Sequence, residues 1–312
     1  MKIGVIMDPI QHINIAKDST FAMLLAAQDL GWEVYYMELS DLFVADNIPW
    51  AKMSSLQVAD NTREWFRIIK TEIQQLQELD IILMRKDPPV TMEYIYVTQM
   101  LDLASHAGVK VVNNPASLRE VNEKLYIYWF PNCIAPTLVS RNRDQFFDFM
   151  DAHNEVILKP LDGMGGASVF RVQRSNANAE VIIEMLTNKG EKFAMAQRFI
   201  PDIVNGDKRI LLIDGNPVPY ALARIPKPGE HRGNLAAGGT GIGVELTARD
   251  YEICNEIAPV LRSKGLRFAG IDIIGDYLTE INVTSPTCIR ELDKLYELDI
   301  AKELLLAIEN DR

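Results

Sequence analysis

What the sequence lacks narrows it first. Its three cysteines, Cys133, Cys254 and Cys288, are odd in number and far apart, which fits reduced thiols rather than a disulfide framework. The four histidines are scattered, and no Cys/His spacing suggests zinc. No apolar run approaches the ~20 residues that cross a bilayer, and the short run at 2–7 is ended by Asp8, too short for a signal segment. Basic residues are in deficit: 32 Lys and Arg against 43 Asp and Glu give a net charge of −11. That balance excludes a broad nucleic-acid surface, so an anionic ligand must be held by locally clustered cations. A cytoplasmic protein with neither nucleic-acid nor membrane partners is expected.

What is present is an ordinary globular composition, 48% hydrophobic and 24% charged over 312 residues, enough for two or three domains. Residues 2–7 read as a strand, Ser19 or Thr20 is placed to cap a helix, Gly31 closes it, and 32–37 resumes as strand. The pattern continues with a helix over 61–79, a strand at 81–84, a helix near 92–106 and a strand at 109–112. Such alternation predicts a parallel sheet flanked by helices. Arg85 follows the third of these strands, where open α/β sheets bind ligands, and is a candidate for a substrate carboxylate; a solvated loop charge is the other reading. The periodicity stops at Asn113-Asn114-Pro115, which places the first boundary near 121.

The stretch Lys159-Pro160-Leu161-Asp162-Gly163-Met164-Gly165-Gly166-Ala167-Ser168 joins a lysine to a glycine-rich turn. Gly163, Gly165 and Gly166 allow positive φ and close approach of backbone N–H groups to an anion. Strands on both sides, at 155–158 and 169–172, make it a hairpin tip. The lysine precedes the glycines and no helix follows, so it is not a Walker loop; Ser168 stands where a Rossmann turn needs glycine. By itself the stretch is either a phosphate cradle or a flexible turn. Lys124, at the entrance of the same module, supplies a second cation. The module continues with helices over 143–153 and near 177–189 and a strand at 193–200.

Strands follow at 206–213 and 218–225, turning at Asp214-Gly215. The glycine-rich loop 226–243 is long enough to be a lid or a surface insertion, and Arg224 and Arg232 beside it favour a lid over anions. Thr247 caps a helix to about 264. In the hairpin beyond it, Ile271, Ile273, Ile281 and Val283 take the core face, so Asp272 points away on the first strand and Leu278, Glu280 and Asn282 do so on the second; the two core faces coincide only if the connection holds an odd number of residues or a bulge, which Gly275-Asp276-Tyr277 satisfies, and Asp272 then stands opposite Glu280. Three oxygen donors without Cys or His indicate Mg²⁺ or Mn²⁺, completed by phosphates, as against a solvent-facing polar surface.

Together these stretches resemble, nearly end to end, the prokaryotic-type glutathione synthetases among the ATP-grasp carboxylate–amine ligases. The resemblance is carried by Met7-Asp8-Pro9, Arg85-Lys86-Asp87-Pro88-Pro89, Asn122-Glu123-Lys124-Leu125, residues 158–168, Asp207-Lys208-Arg209, Arg232 to Gly239, and Glu280-Ile281-Asn282-Val283-Thr284-Ser285-Pro286. It implies an α/β and α+β fold: an N-terminal Rossmann-like parallel-sheet substrate domain (1–121), then a two-subdomain ATP-grasp fold. These would be a small subdomain (122–200) and a metal-binding catalytic subdomain (201–312) carrying the lid. It also implies ATP-dependent joining of γ-glutamylcysteine to glycine, in a homotetramer.

By position the resemblance assigns Lys124, Lys159 and the loop Gly163, Gly165, Gly166, Ala167 and Ser168 to the nucleotide phosphates. Gln197, Arg198, Phe199 and Ile200 go to the adenine and Asp207 to the ribose. Arg209, with Lys159 and Arg232, goes to the transferred phosphoryl group; Asp272, Glu280 and Asn282 hold the metal. Arg85, Arg224, Arg232, Asn282 and Ser285 are left as substrate candidates. Thr240 departs from the family, which carries a basic residue there. A different ATP-grasp ligase and a non-catalytic ATP-binding module are the competing readings.

Overall fold

The chain, in a computed structural model that describes residues 1–230, 232–235 and 238–310, is built on three sheets. His231 and the Ala236-Ala237 pair of the lid motif lie outside the described residues.

The first sheet begins with β1 (Lys2–Ile6), helix α1 (Ser19–Asp29) and β2 (Glu33–Met37), which pairs parallel with β1. Asp18, rather than Ser19 or Thr20, caps α1: its carboxylate accepts from the Phe21 amide at 2.6 Å. The next three strands, β3 (Leu42–Ala45), β4 (Ile48–Val58) and β5 (Phe66–Gln75), are antiparallel, and they overturn the helix expected over 61–79. Apolar spacing in that segment suits a helix, but Ile68, Ile69, Thr71 and Ile73 are β-branched, and pairing along the length of β4 decides the outcome. The parallel order resumes with β6 (Ile81–Met84), helix α2 (Met92–His106) and β7 (Lys110–Val112). The sheet is therefore mixed, in the order β3-β4-β2-β1-β6-β7 with β5 on the far side of β4.

After α3 (Pro115–Glu120), the second sheet consists of β8 (Thr137–Ser140), β9 (Glu155–Pro160), β10 (Phe170–Gln173) and β11 (Ala194–Arg198), in the order β10-β9-β11-β8. Helices α4 (Arg143–His153) and α5 (Ala179–Leu186) cover one face through Phe146, Met150 and Ile183. The third sheet runs β14-β13-β12-β15-β16, from β12 (Asp207–Ile213), β13 (Asn216–Ile225), β14 (Thr240–Glu245), β15 (Phe268–Ile274) and β16 (Tyr277–Asn282). Strand β14 shortens the expected lid loop, because residues 240–243 pair with β13 instead of remaining loop. Helix α6 (Ala248–Ser263) starts on a reciprocal Thr247/Asp250 capping box.

Two connections fix the third sheet to the first. The Asn113 side chain donates to the Phe268 and Val283 carbonyls, both at 2.7 Å, and accepts from the Phe268 amide at 3.0 Å. The last helices, α7 (Ile289–Tyr296) and α8 (Ile300–Asn310), turn back so that Leu304 and Ile308 share a core with Phe21 and Met23 of α1. The chain thus closes on its own N-terminal layer, which holds the segments between the sheets in register.

Candidate active site

The glycine turn sits at the tip of the β9–β10 hairpin, as the flanking alternation predicts. Its close fit explains two of the glycines. A Cβ on Gly163 would meet Pro160 at 2.7 Å, and Gly166, at φ +79, lies where a Cβ would meet the Asn234 side chain at 2.6 Å. The turn and the lid loop therefore touch: an Arg232 guanidinium nitrogen lies 3.5 Å from the Gly166 carbonyl oxygen. Beneath them is a cleft of about 280 Å³ between the second and third sheets.

Both candidate phosphate lysines point into this cleft, and they are buried. Lys124 Nζ donates to the Gly163 carbonyl at 2.6 Å, and it lies 3.6 Å from Glu280 Oε1, as does Lys159 Nζ. Two cations from separate segments thus converge on one carboxylate. Lys124 also pairs with Glu123. Burial works against the charged amine of Lys124, yet Glu280 and Glu123 outweigh it and raise its pKa. Glu123 is itself pushed up, by burial and then by the Glu280 charge. Glu123 was not singled out from the sequence, although it lies inside the Asn122-Glu123-Lys124 motif.

The β15–β16 hairpin places Asp272 opposite Glu280, the expected register. Its turn differs from expectation: Ile274 pairs with Tyr277 across the two residues Gly275 and Asp276, and the odd residue is a bulge at Thr279. The bulge returns Leu278 to the core face beside Ile273, while Thr279, Glu280 and Asn282 of that strand line the cleft. Asp272 lies deeper. Its carboxylate accepts from Arg209 Nε at 2.5 Å and Nη2 at 2.9 Å, and it lies 2.9 Å from Arg224 Nη2. Arg224 bridges on to Asp207 Oδ2 at 2.5 Å, while Asp207 Oδ1 is buried with no hydrogen-bond partner among the described residues. Two guanidiniums and two carboxylates make this cluster formally neutral. Burial alone would raise the Asp272 pKa, but Arg209 and Arg224 override it and hold the carboxyl well below the usual range. Asp207 is pushed up to about 7, chiefly by burial.

Among the described residues, no three His, Cys, Asp or Glu side chains are grouped to hold a metal ion. The oxygen-donor set is nevertheless assembled: Asp272 faces Glu280 in register, and Asn282 Nδ2 lies 3.5 Å from Asp272 Oδ2. In composition it fits a hard divalent cation, with Asp272 currently turned to its arginines.

Of the remaining candidates, Gly163, Gly165, Gly166, Ala167, Gln197, Arg198, Phe199, Ile200, Asp207, Arg209, Arg224, Arg232 and Ser285 all line the cleft. Ser168 and Arg85 do not. Ser168 sits at φ 57, on the side of the turn that leads into β10. Arg85 is buried behind the site, donating to Thr20 Oγ1 at 3.1 Å and to the Pro286 carbonyl at 2.9 Å. Two of its guanidinium nitrogens thus support α1 and the 284–287 segment, and the side chain does not line the cleft. Burial lowers its pKa to about 10. In its place Asp87, which the sequence reading left without a role, enters the cleft wall and accepts a hydrogen bond from Ser285.

Comparison with known proteins bears on this arrangement. A model of the N-terminal domain of prokaryotic glutathione synthetase matches residues 1–119, and a model of that family's ATP-grasp domain matches residues 123–297. The chain belongs to the prokaryotic glutathione synthetase family. The glutathione synthetase of Vibrio vulnificus is 52% identical over 309 residues, covering 99% of this chain and 98% of that protein. That of Pseudomonas aeruginosa is 52% identical over 308 residues, covering 99% and 97%. Among solved structures, a D-cycloserine synthetase, DcsG, superposes with a TM-score of 0.66 at 14% identity over 99% of this chain and 98% of that one. The ligase PsnB, solved with a minimal precursor, Mg and ADP, gives 0.65 at 14% identity over 98% and 96%. At such identity the superposition speaks to the fold alone, which is ATP-grasp. ATP-grasp ligases as a class use ATP and Mg²⁺.

Proposed function

We propose that this glutathione synthetase family member joins γ-glutamylcysteine to glycine at the expense of ATP. The observation that carries the reading is the convergence of Lys124 and Lys159 on Glu280 beneath a glycine turn that touches the lid. A carboxylate cannot be attacked by an amine while its leaving group is oxide. In the reaction we propose, a carboxylate oxygen of the dipeptide attacks the γ-phosphorus of ATP, the bond to ADP breaks, and an acyl phosphate forms. The glycine amine then attacks the acyl carbon, phosphate leaves with the bonding pair, and the amine gives up its proton.

Such a reaction needs positioning and charge neutralisation rather than a protein nucleophile. We assign Lys124, Lys159 and the 163–167 turn to the phosphates, residues 197–200 to the adenine and Asp207 to the ribose. Arg209 and Arg232 would neutralise charge on the transferred group, with Arg224, Asn282 and Ser285 near the dipeptide. Glu280 and Asn282, joined by Asp272 once Arg209 turns to phosphate, would hold Mg²⁺ or Mn²⁺, which supplies charge neutralisation and alignment of the phosphate chain. The lid would exclude water, which otherwise hydrolyses the acyl phosphate.

We retain the division 1–121, 122–200 and 201–312, and we place the reaction in the cytoplasm of the cell, in a homo-oligomer. The test is an ADP-release assay across substrate pairs. ADP formed only with γ-glutamylcysteine and glycine supports the reading. ADP formed instead with another carboxylate–amine pair makes the chain a different ATP-grasp ligase, and ATP binding without any ADP release makes it a non-catalytic module.

A further inference from the structure

Among the described residues, four carboxylates line the cleft, and three of them already face a cation of this chain. Glu123 pairs with Lys124, Glu280 lies against both lysines, and Asp207 pairs with Arg224. Asp87 is the fourth. Its two basic neighbours in sequence are engaged elsewhere: Arg85 bonds Thr20 and the Pro286 carbonyl, and the Lys86 ammonium lies 2.6 Å from Asp8 Oδ1, reaching only the backbone carbonyl of Asp87, at 3.3 Å. Among the described residues Asp87 therefore has no ion pair. A half-buried carboxylate without a counter-ion is unfavourable in the empty cleft, and a ligand that brings the missing positive charge relieves that cost.

The side chain is nevertheless held in place. The Asp87 amide donates to Asp8 Oδ2 at 2.9 Å, and the Ser285 hydroxyl donates to Asp87 Oδ1. Oδ2 accepts no hydrogen bond among the described residues. The segment that fixes Asp87 also flanks the phosphoryl site, since a Cβ on Gly270 would meet both Pro286 Cβ and Arg209 Cδ at 2.9 Å. One fixed and one uncommitted oxygen, in a cleft wall otherwise rich in cations, suit a ligand that is itself a hydrogen-bond donor and positively charged.

We propose that Asp87 is the residue of this cleft that binds a substrate ammonium, with Oδ2 as the acceptor. The phosphates and carboxylates of the substrates are matched by the lysines and arginines, and a primary ammonium requires the opposite partner. Both substrates of the proposed ligation carry one, the dipeptide on its α-carbon and glycine on the attacking nitrogen. The inference rests on the ligase reading, and it adds a specificity determinant to it.

The test compares γ-glutamylcysteine with glutarylcysteine, the same molecule without its α-amine, in the coupled ADP-release assay with glycine. Absence of ADP release by the wild type with γ-glutamylcysteine and glycine removes the ligase reading and the inference with it; every other outcome bears on Asp87 alone. If the dipeptide ammonium is the ligand, Asp87→Asn is expected to lower kcat/KM for γ-glutamylcysteine about 10- to 100-fold and to leave glutarylcysteine within about threefold, the loss of one charge-assisted hydrogen bond. If the glycine ammonium is the ligand, the KM for glycine is expected to rise by that factor while the ratio between the two dipeptides stays at its wild-type value. An equal loss for both dipeptides with an unchanged glycine KM, or no loss at all, overturns the assignment. Calorimetric ATP binding reports whether the variant cleft is folded, and Asp87→Ala carries the same comparison should Asp87→Asn fail that check.

Discussion

Replacing Glu280 by Gln perturbs the site at its electrostatic centre while keeping its shape. The lost charge lies 3.6 Å from Lys124 Nζ and from Lys159 Nζ. At an effective dielectric of about 20, each attraction is worth about 4 to 5 kcal/mol before screening, and the partly open side chain reduces that to about 1 to 2. Lys124 keeps Glu123 as a partner, so folding stability is expected to fall by less than about 2 kcal/mol. The two lysines lose the carboxylate that competes with phosphate, so ATP affinity is expected to hold or to tighten. Turnover is different, because the variant removes one of the charged oxygens proposed for the metal. A loss of about 100- to 1,000-fold in kcat is expected, the scale seen when one preorganised charge contact is removed from a transition state. Calorimetric ATP binding and coupled ADP release measure the two effects separately. A kcat within tenfold of wild type, or ATP binding lost in proportion to turnover, would refute the reasoning.

Deleting lid residues 226–239 is expected to leave ATP hydrolysis in place while lowering the yield of peptide per ADP, because water then reaches the acyl phosphate; an unchanged ratio counts against the lid. Cys288 lines the cleft, but burial raises the pKa of its thiol, so Cys288→Ser is expected to retain turnover within about tenfold, and essentially complete loss would point to covalent catalysis. Outside the lining of the cleft, Asp293 accepts from the Ile300 amide at the start of α8, and burial, helped by Asp299 and Glu303, raises its pKa to about 6. A carboxyl whose folded pKa is raised contributes stability at low pH and loses it as pH climbs through the folded value. Asp293→Asn should therefore gain on wild type by about 1 to 2 kcal/mol between about pH 4 and 7 in urea unfolding, and a pH-independent difference would refute the assignment.

How much of this was legible in the sequence depended on whether the signal was local. The helices at 92–106 and 143–153 and the Thr247 cap follow from residues a few positions apart, and they were readable. So was the opposition of Asp272 to Glu280, since strand alternation is local too. The segment 61–79 was misread because its pairing with β4 is a tertiary choice that overrides spacing. The loop-or-bulge question at 275–279 turned on which residue the ladder leaves out, and composition does not fix that. Arg85 was correctly placed at a strand end, but its guanidinium is claimed by the Pro286 carbonyl some two hundred residues away. The Arg209, Arg224, Asp207 and Asp272 cluster is likewise assembled from three strands, and pattern reading delivers its members one at a time.

The central claim is that the cleft activates the dipeptide carboxylate as an acyl phosphate. Isotopic labelling of the carboxylate oxygens of γ-glutamylcysteine tests it most directly, in a single reaction with ATP and glycine. One labelled oxygen is expected to leave in the phosphate released with each peptide bond formed. Phosphate free of label, with peptide formed at the normal rate, would contradict it.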